Sequence, residues 1–166
     1  MHQTARPTEI NNERSQLRGP ASCQVPLTDL DASLKWYEKV LKAKREPRFD
    51  HLNSDGNRFA VITFWPGLDV PCELRFAPEA AKAVAGFDPV AFGVADEQAL
   101  QGWIEHFDAV GAEHTDVINS FVGKMVQVTS PDGLAIRLYV AAVGGFANAE
   151  FRPDLADLEN PSIRAR

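Results

Sequence analysis

Residues 27–41 read Leu27-Thr28-Asp29-Leu30-Asp31-Ala32-Ser33-Leu34-Lys35-Trp36-Tyr37-Glu38-Lys39-Val40-Leu41, "LTDLDASLKWYEKVL", and their reading decides the fold. Thr28, Asp29 and Asp31 are capping candidates, because a short side-chain oxygen can accept from the free N–H groups of a first helical turn. Leu34, Tyr37, Val40 and Leu41 then recur at helical spacing and mark one buried face. Just upstream, "CQVPL" (23–27) alternates as a strand does. Strand, cap and helix therefore follow one another.

The same order returns 67 residues later, where Val25 superposes on Phe92, Leu27 on Val94, Asp29 on Asp96, Trp36 on Trp103 and Glu38 on Glu105. "PVAFGV" supplies the strand and Asp96 the cap. Leu100, Trp103, Ile104, Phe107 and Val110 form the apolar face of the second helix, and Gly111 ends it. After the first helix, strands are expected at about 45–50, 57–65 and 71–77, with the Asp-Gly of "NSDGN" joining the first two as a hairpin. After the second, they are expected at about 112–118, 122–129 and 134–141. "PEAAKAVAG" (78–86) reads as a short connecting helix, with Pro78 in its first turn and Gly86 past its end. The chain is thus read as an α+β protein made by internal duplication of a βαβββ unit. Its expected parts are a polar arm (1–19), a first module (20–77), a linker helix (78–88), a second module (89–142) and a tail (143–166). The tail holds Phe146 and Phe151 and is read either as disordered or as an extension that packs on the body or a partner subunit.

Composition narrows the function classes. Of 166 residues 45% are hydrophobic, enough for a real core, and the formal charge of −6 comes without any cluster of Lys and Arg. A nucleic-acid partner is therefore not expected, since phosphate backbones demand clustered cations. No apolar run approaches the roughly 20 residues that cross a bilayer, and the polar start lacks the apolar core of a signal peptide. The expectation is a cytoplasmic protein with no membrane partner. Cys23 and Cys72 have neither the number nor the spacing of a zinc site or a disulfide framework and are read as buried thiols.

Two βαβββ units, "LTDLDASLKWYEKVL" and the late "SPDGLAIRLYV" (130–140) together resemble the vicinal oxygen chelate superfamily. That family includes glyoxalases, extradiol dioxygenases, fosfomycin-resistance enzymes and bleomycin-binding proteins, and the resemblance spans about residues 21–141. It implies that the two modules curve into one cup and that the protein forms a homodimer. Metal-dependent members take a ligand from each of four strands, and here those positions fall on Ser22, Pro89, Glu73 and Arg137. Proline offers no side-chain donor atom, a neutral serine hydroxyl is a weak ligand, and a guanidinium cannot coordinate a cation. Only Glu73 retains a ligand, so no metal and no other cofactor is expected.

If those four positions face the cup, strand alternation turns Ser22, Gln24, Glu73, Arg75, Arg137 and Tyr139 inward, with Met125 and Gln127 from the neighbouring strand. Cys23, Val25, Leu74, Phe76, Phe92, Ile136 and Leu138 then pack beneath the helices. An arginine beside a surviving carboxylate suggests an ion pair between Glu73 and Arg137. Trp65 joins the candidate lining, although the pattern does not fix which way it points.

Three functions compete. The first is a metal-independent cup that sequesters or carries a small, partly aromatic molecule, bound by Ser22, Gln24, Arg75, Trp65, Met125, Gln127 and Tyr139. The second is a metal-independent isomerase, lyase, hydrolase or cyclase, with Glu73 as general acid or base and Arg137 stabilising an oxyanion. Against it stands the preference of a carboxylate beside a guanidinium for its charged form. The third is a metal-dependent lyase or dioxygenase with ligands rearranged onto His51, His106 or His114.

Overall fold

The computed structural model describes residues 19–120 and 123–143. The expected arm, apart from Gly19, and the tail beyond Val143, including Phe146 and Phe151, lie outside the described residues.

β1 (Cys23–Leu27) leads into α1 (Leu30–Val40). Of the three capping candidates Asp29 does the work: its Oδ1 accepts from the Ala32 N–H at 3.0 Å, a bond whose loss typically costs about 1 kcal/mol. Leu34, Tyr37, Val40 and Leu41 are all buried, as the periodicity requires. α1 stops with Lys42 at φ 55°, the one non-glycine residue with positive φ among the described residues. A side chain there costs about 1–2 kcal/mol.

β2 (Lys44–Arg45), β3 (His51–Leu52), β4 (Arg58–Phe64) and β5 (Cys72–Phe76) complete the first sheet, in the order β1-β5-β4-β2 with β3 also paired to β4. The continuous strand expected at 45–50 is broken by a 3-10 turn at Pro47–Phe49. Pro47 has no N–H to give a ladder, and the Glu46 carboxylate binds the Arg48 side chain and so closes the turn locally.

α2 (Pro78–Val84) links to β6 (Ala91–Gly93) and α3 (Glu97–Val110). The Asp96 carboxylate accepts from the Ala99 N–H at 2.8 Å, and Gly111, at φ 67°, provides the left-handed stop that glycine tolerates best. β7 (Ile118–Ser120), β8 (Gly123–Thr129) and β9 (Ala135–Ala141) finish the second sheet, ordered β6-β9-β8-β7. The strand expected at 112–118 is displaced toward β7. Before it, His114 makes only an isolated bridge with Val128, and the Thr115 hydroxyl, not a carbonyl, accepts from the Gln127 N–H. A side chain thus takes the place of a ladder bond.

The β-structure is two separate mixed sheets, in each of which the first strand runs parallel to the last. One apolar core joins them beneath α1 and α3. Tyr37 stacks on Trp65 at 5.5 Å between centroids, and Trp65 meets Phe92 of the second sheet at 5.2 Å. A further tie is polar. Asp132, in the turn between β8 and β9, accepts from the Thr28 N–H and hydroxyl, each at 2.6 Å, and from the Ser33 hydroxyl at 2.7 Å. The last hairpin is thereby fixed to the start of α1.

The cysteines are not free thiols. Cys23 and Cys72 stand directly opposite on parallel β1 and β5 with Cα atoms 4.6 Å apart, inside the span a disulfide bridges, and they form one. Strand register brought together two residues whose sequence spacing suggested no pairing.

Candidate ligand-binding faces of the two sheets

Register builds the same row of side chains twice. In the first sheet Gln24 pairs with Glu73, and Glu73 with Ile62. In the second Ala91 pairs with Arg137, and Arg137 with Gln127. Gln24 and Ala91 are related by the 67-residue repeat, so Glu73 and Arg137 hold equivalent places in the two sheets. By the same reasoning Arg75 corresponds to Tyr139. On the opposite face Leu74, Val61, Leu138, Ile136 and Val126 are buried in the core, whereas Phe76, expected among them, is 50% exposed at the end of β5.

Each of the two charges is held within its own half. The Glu73 side chain is 9% exposed, and its Oε1 accepts from Arg75 Nε at 2.6 Å, with His51 Nδ1 3.8 Å from the same oxygen. The Arg137 side chain is 12% exposed, and its Nη1 contacts Asp88 Oδ2 at 2.6 Å while Nε donates to Gln127 Oε1 at 3.2 Å. The pairing expected between Glu73 and Arg137 is therefore replaced by two local ones. A nearly buried charge needs a partner close by, and Arg75 two positions along β5 and Asp88 ahead of β6 supply it.

Around these charges Gln127 is buried, Met125 and Tyr139 half-buried, and Ser22, Gln24 and Arg75 exposed. Met125 and Tyr139 are register partners. The Tyr139 ring lies against Gly123, where any Cβ would approach its Cζ and hydroxyl to 3.0 Å and the Val140 carbonyl oxygen to 2.0 Å. Burial pushes the Tyr139 phenol above its ordinary range.

Trp65 departs from this set. It shares the parity of Val61 and Thr63 on the core side, donates its Nε1–H to Thr63 Oγ1 at 2.9 Å and is 7% exposed. The structure brings it to the seam between the halves and not to the face that carries Glu73.

The donor chemistry does not fit a metal centre. Ser22, Pro89 and Arg137 provide no strong ligand beside Glu73, and among the described residues no three His, Cys, Asp or Glu side chains converge. His106 Nε2 hydrogen-bonds with the Lys39 carbonyl at 3.2 Å, and His114 lies between the Thr115 carbonyl and Asp108. Of the three histidines weighed as rearranged ligands, only His51 comes near Glu73. Sequence reasoning missed Asp88; its one signal is an acidic residue just ahead of the strand that pairs with Arg137.

A model of the glyoxalase/bleomycin resistance protein/dioxygenase superfamily matches residues 19–138. A glyoxylase/bleomycin resistance protein/dioxygenase domain from Frankia sp. EAN1pec is similar with a TM-score of 0.58 and 19% identity, over 76% of this chain and 100% of that one. The fosfomycin resistance protein FosX from Listeria monocytogenes, complexed with Mn(II) and sulfate, gives a TM-score of 0.59 and 11% identity over 78% of this chain and 98% of its own. Lactoylglutathione lyase from Agrobacterium tumefaciens gives 0.57 and 15% over 78% and 98%. No curated protein matches the chain. At these identities the similar structures speak for the fold alone.

Proposed function

Because the chain belongs to the glyoxalase/bleomycin resistance protein/dioxygenase superfamily, we propose that it is a metal-independent member that binds a small, partly aromatic organic molecule for sequestration or carriage. The superfamily hosts unrelated chemistries, so the reading rests on the site and not on the fold. One observation carries it: Arg137, which the resemblance sets at the last carboxylate position of metal-dependent members, is held by Asp88 and Gln127. A fixed cation there can meet an anionic or carbonyl group without a metal. Met125 and Tyr139 supply apolar surface next to it, while Gln127, Ser22, Gln24, Arg75 and Glu73 supply the few polar groups that orient such a ligand. The same reading takes the protein to be a homodimer, and its modules to run over 20–77 and 89–142.

Metal analysis of the purified protein together with native mass spectrometry for a retained small molecule tests this. The expected outcome is substoichiometric metal. Arg137→Met should lose ligand binding, with about a tenfold or greater fall in affinity, as expected when a charged hydrogen-bond donor is removed. Stoichiometric zinc, iron or manganese would overturn the reading.

A second reading draws on His51, whose Nδ1 lies 3.8 Å from Glu73 Oε1. A histidine and a carboxylate side by side can pass a proton, which favours a metal-independent lyase or isomerase with Glu73 as acid or base. Turnover that survives Glu73→Gln would exclude it. For location we propose the cytoplasm, and the disulfide supplies the check: thiol trapping in intact cells should then find Cys23 and Cys72 largely reduced.

A further inference from the structure

A pocket lies on the core side of the sheets, where the two halves meet. Leu41, Trp65, Phe92, Val94, Trp103 and Leu138 enclose a cavity of about 70 Å³, with the turn at Pro66–Leu68 at its rim. Three of these six side chains are aromatic and none carries a charge. One water needs about 10–15 Å³, so the space is several waters large, the size class of a single ring. Its walls are fixed in advance. The Trp65 indole is anchored by its bond to Thr63 and stacked on Tyr37, and Trp103 is packed on Phe107 at 5.7 Å. Lys42, set by its left-handed backbone at the end of α1, places its ammonium 4.8 Å from the centroid of the Trp103 ring. A cavity lined by rings and held rigid loses little order on filling and favours a flat apolar guest.

We propose that this seam is a binding site for an uncharged, single-ring aromatic group, separate from the faces that carry Glu73 and Arg137. Trp65 belongs to this site, which accounts for an aromatic side chain that the sequence assigned to the cup and the structure turns away from it.

The test is titration of the full chain with benzyl alcohol and, separately, cyclohexylmethanol, followed by the indole N–H resonances in ¹H–¹⁵N spectra. Saturable shifts are expected for Trp65 and Trp103 with benzyl alcohol, weaker ones with cyclohexylmethanol, and none for Trp36. Val94→Phe, which fills the cavity, should weaken benzyl alcohol by about tenfold or more, and Leu68→Phe is the second filling variant should the first not fold. Arg137→Met should leave the titration unchanged, so a failed cup and a failed seam give different results. Unmoved Trp65 and Trp103 resonances in the folded protein, equal response to the two alcohols, or loss of binding in Arg137→Met would each overturn the proposal.

Discussion

Asp132 shows how much a single side chain can carry between two halves of a chain. Asp132 is 9% exposed, and its carboxylate takes three donors from residues around 100 positions away, two of them on Thr28 and one on Ser33. Removing it strands those donors at the start of α1. Asp132→Ala should therefore destabilise the protein by about 3 kcal/mol, read as a lower urea midpoint, whereas Pro131→Ala, at the exposed residue beside it, should change little. Nothing in "SPDG" announces this role, because an aspartate before glycine looks like an ordinary turn residue. Of its partners the sequence marks only Thr28, as a capping candidate, and Thr28 turns out to serve Asp132 and not α1.

At the scale of the element, α1 and α3 follow from sequence because cap and apolar face agree; the short edge strands do not, because a 3-10 turn at Pro47–Phe49 interrupts the first and the Thr115 hydroxyl takes the Gln127 N–H beside the second. The segment between α3 and β7 also carries a titration. His114 sits with Nδ1 2.8 Å from the Thr115 carbonyl oxygen and Nε2 3.2 Å from Asp108 Oδ1, so the charged imidazole satisfies both acceptors. The Thr115 carbonyl first, and then Asp108, raise its pKa above the ordinary value. A raised folded value means that the contribution is full below an unfolded pKa of about 6.5 and fades as pH climbs through the folded one. Stability followed by urea denaturation should thus decline modestly as pH rises from the weakly acid side, and His114→Gln should flatten that decline.

For the whole molecule, the duplication made the architecture readable, and register then explained what the sequence could not. Cys23 and Cys72 are opposite only because β1 and β5 pair in parallel, and Glu73 and Arg137 find separate partners because the two sheets are separate. Which strand positions share a face was legible from alternation; the ion pair of Arg137 was not, since Asp88 lies outside any strand. The disulfide closes a loop between residues 49 apart, for which chain entropy gives about 4 kcal/mol as an upper estimate. Reduction with dithiothreitol, or the double change Cys23→Ser and Cys72→Ser, should lower the urea midpoint accordingly; an unchanged midpoint would show that the bond does not constrain the unfolded chain.

The Asp132 tie also sets a clock. Thr28 emerges from a ribosome 104 residues before the aspartate that satisfies it, an interval of about 5–20 s at ordinary rates of synthesis. Throughout that interval the nascent first half must keep the start of its helix in water, with its hydroxyls wetted and not yet docked. Its final shape waits on the arrival of a turn that is made after most of the described residues.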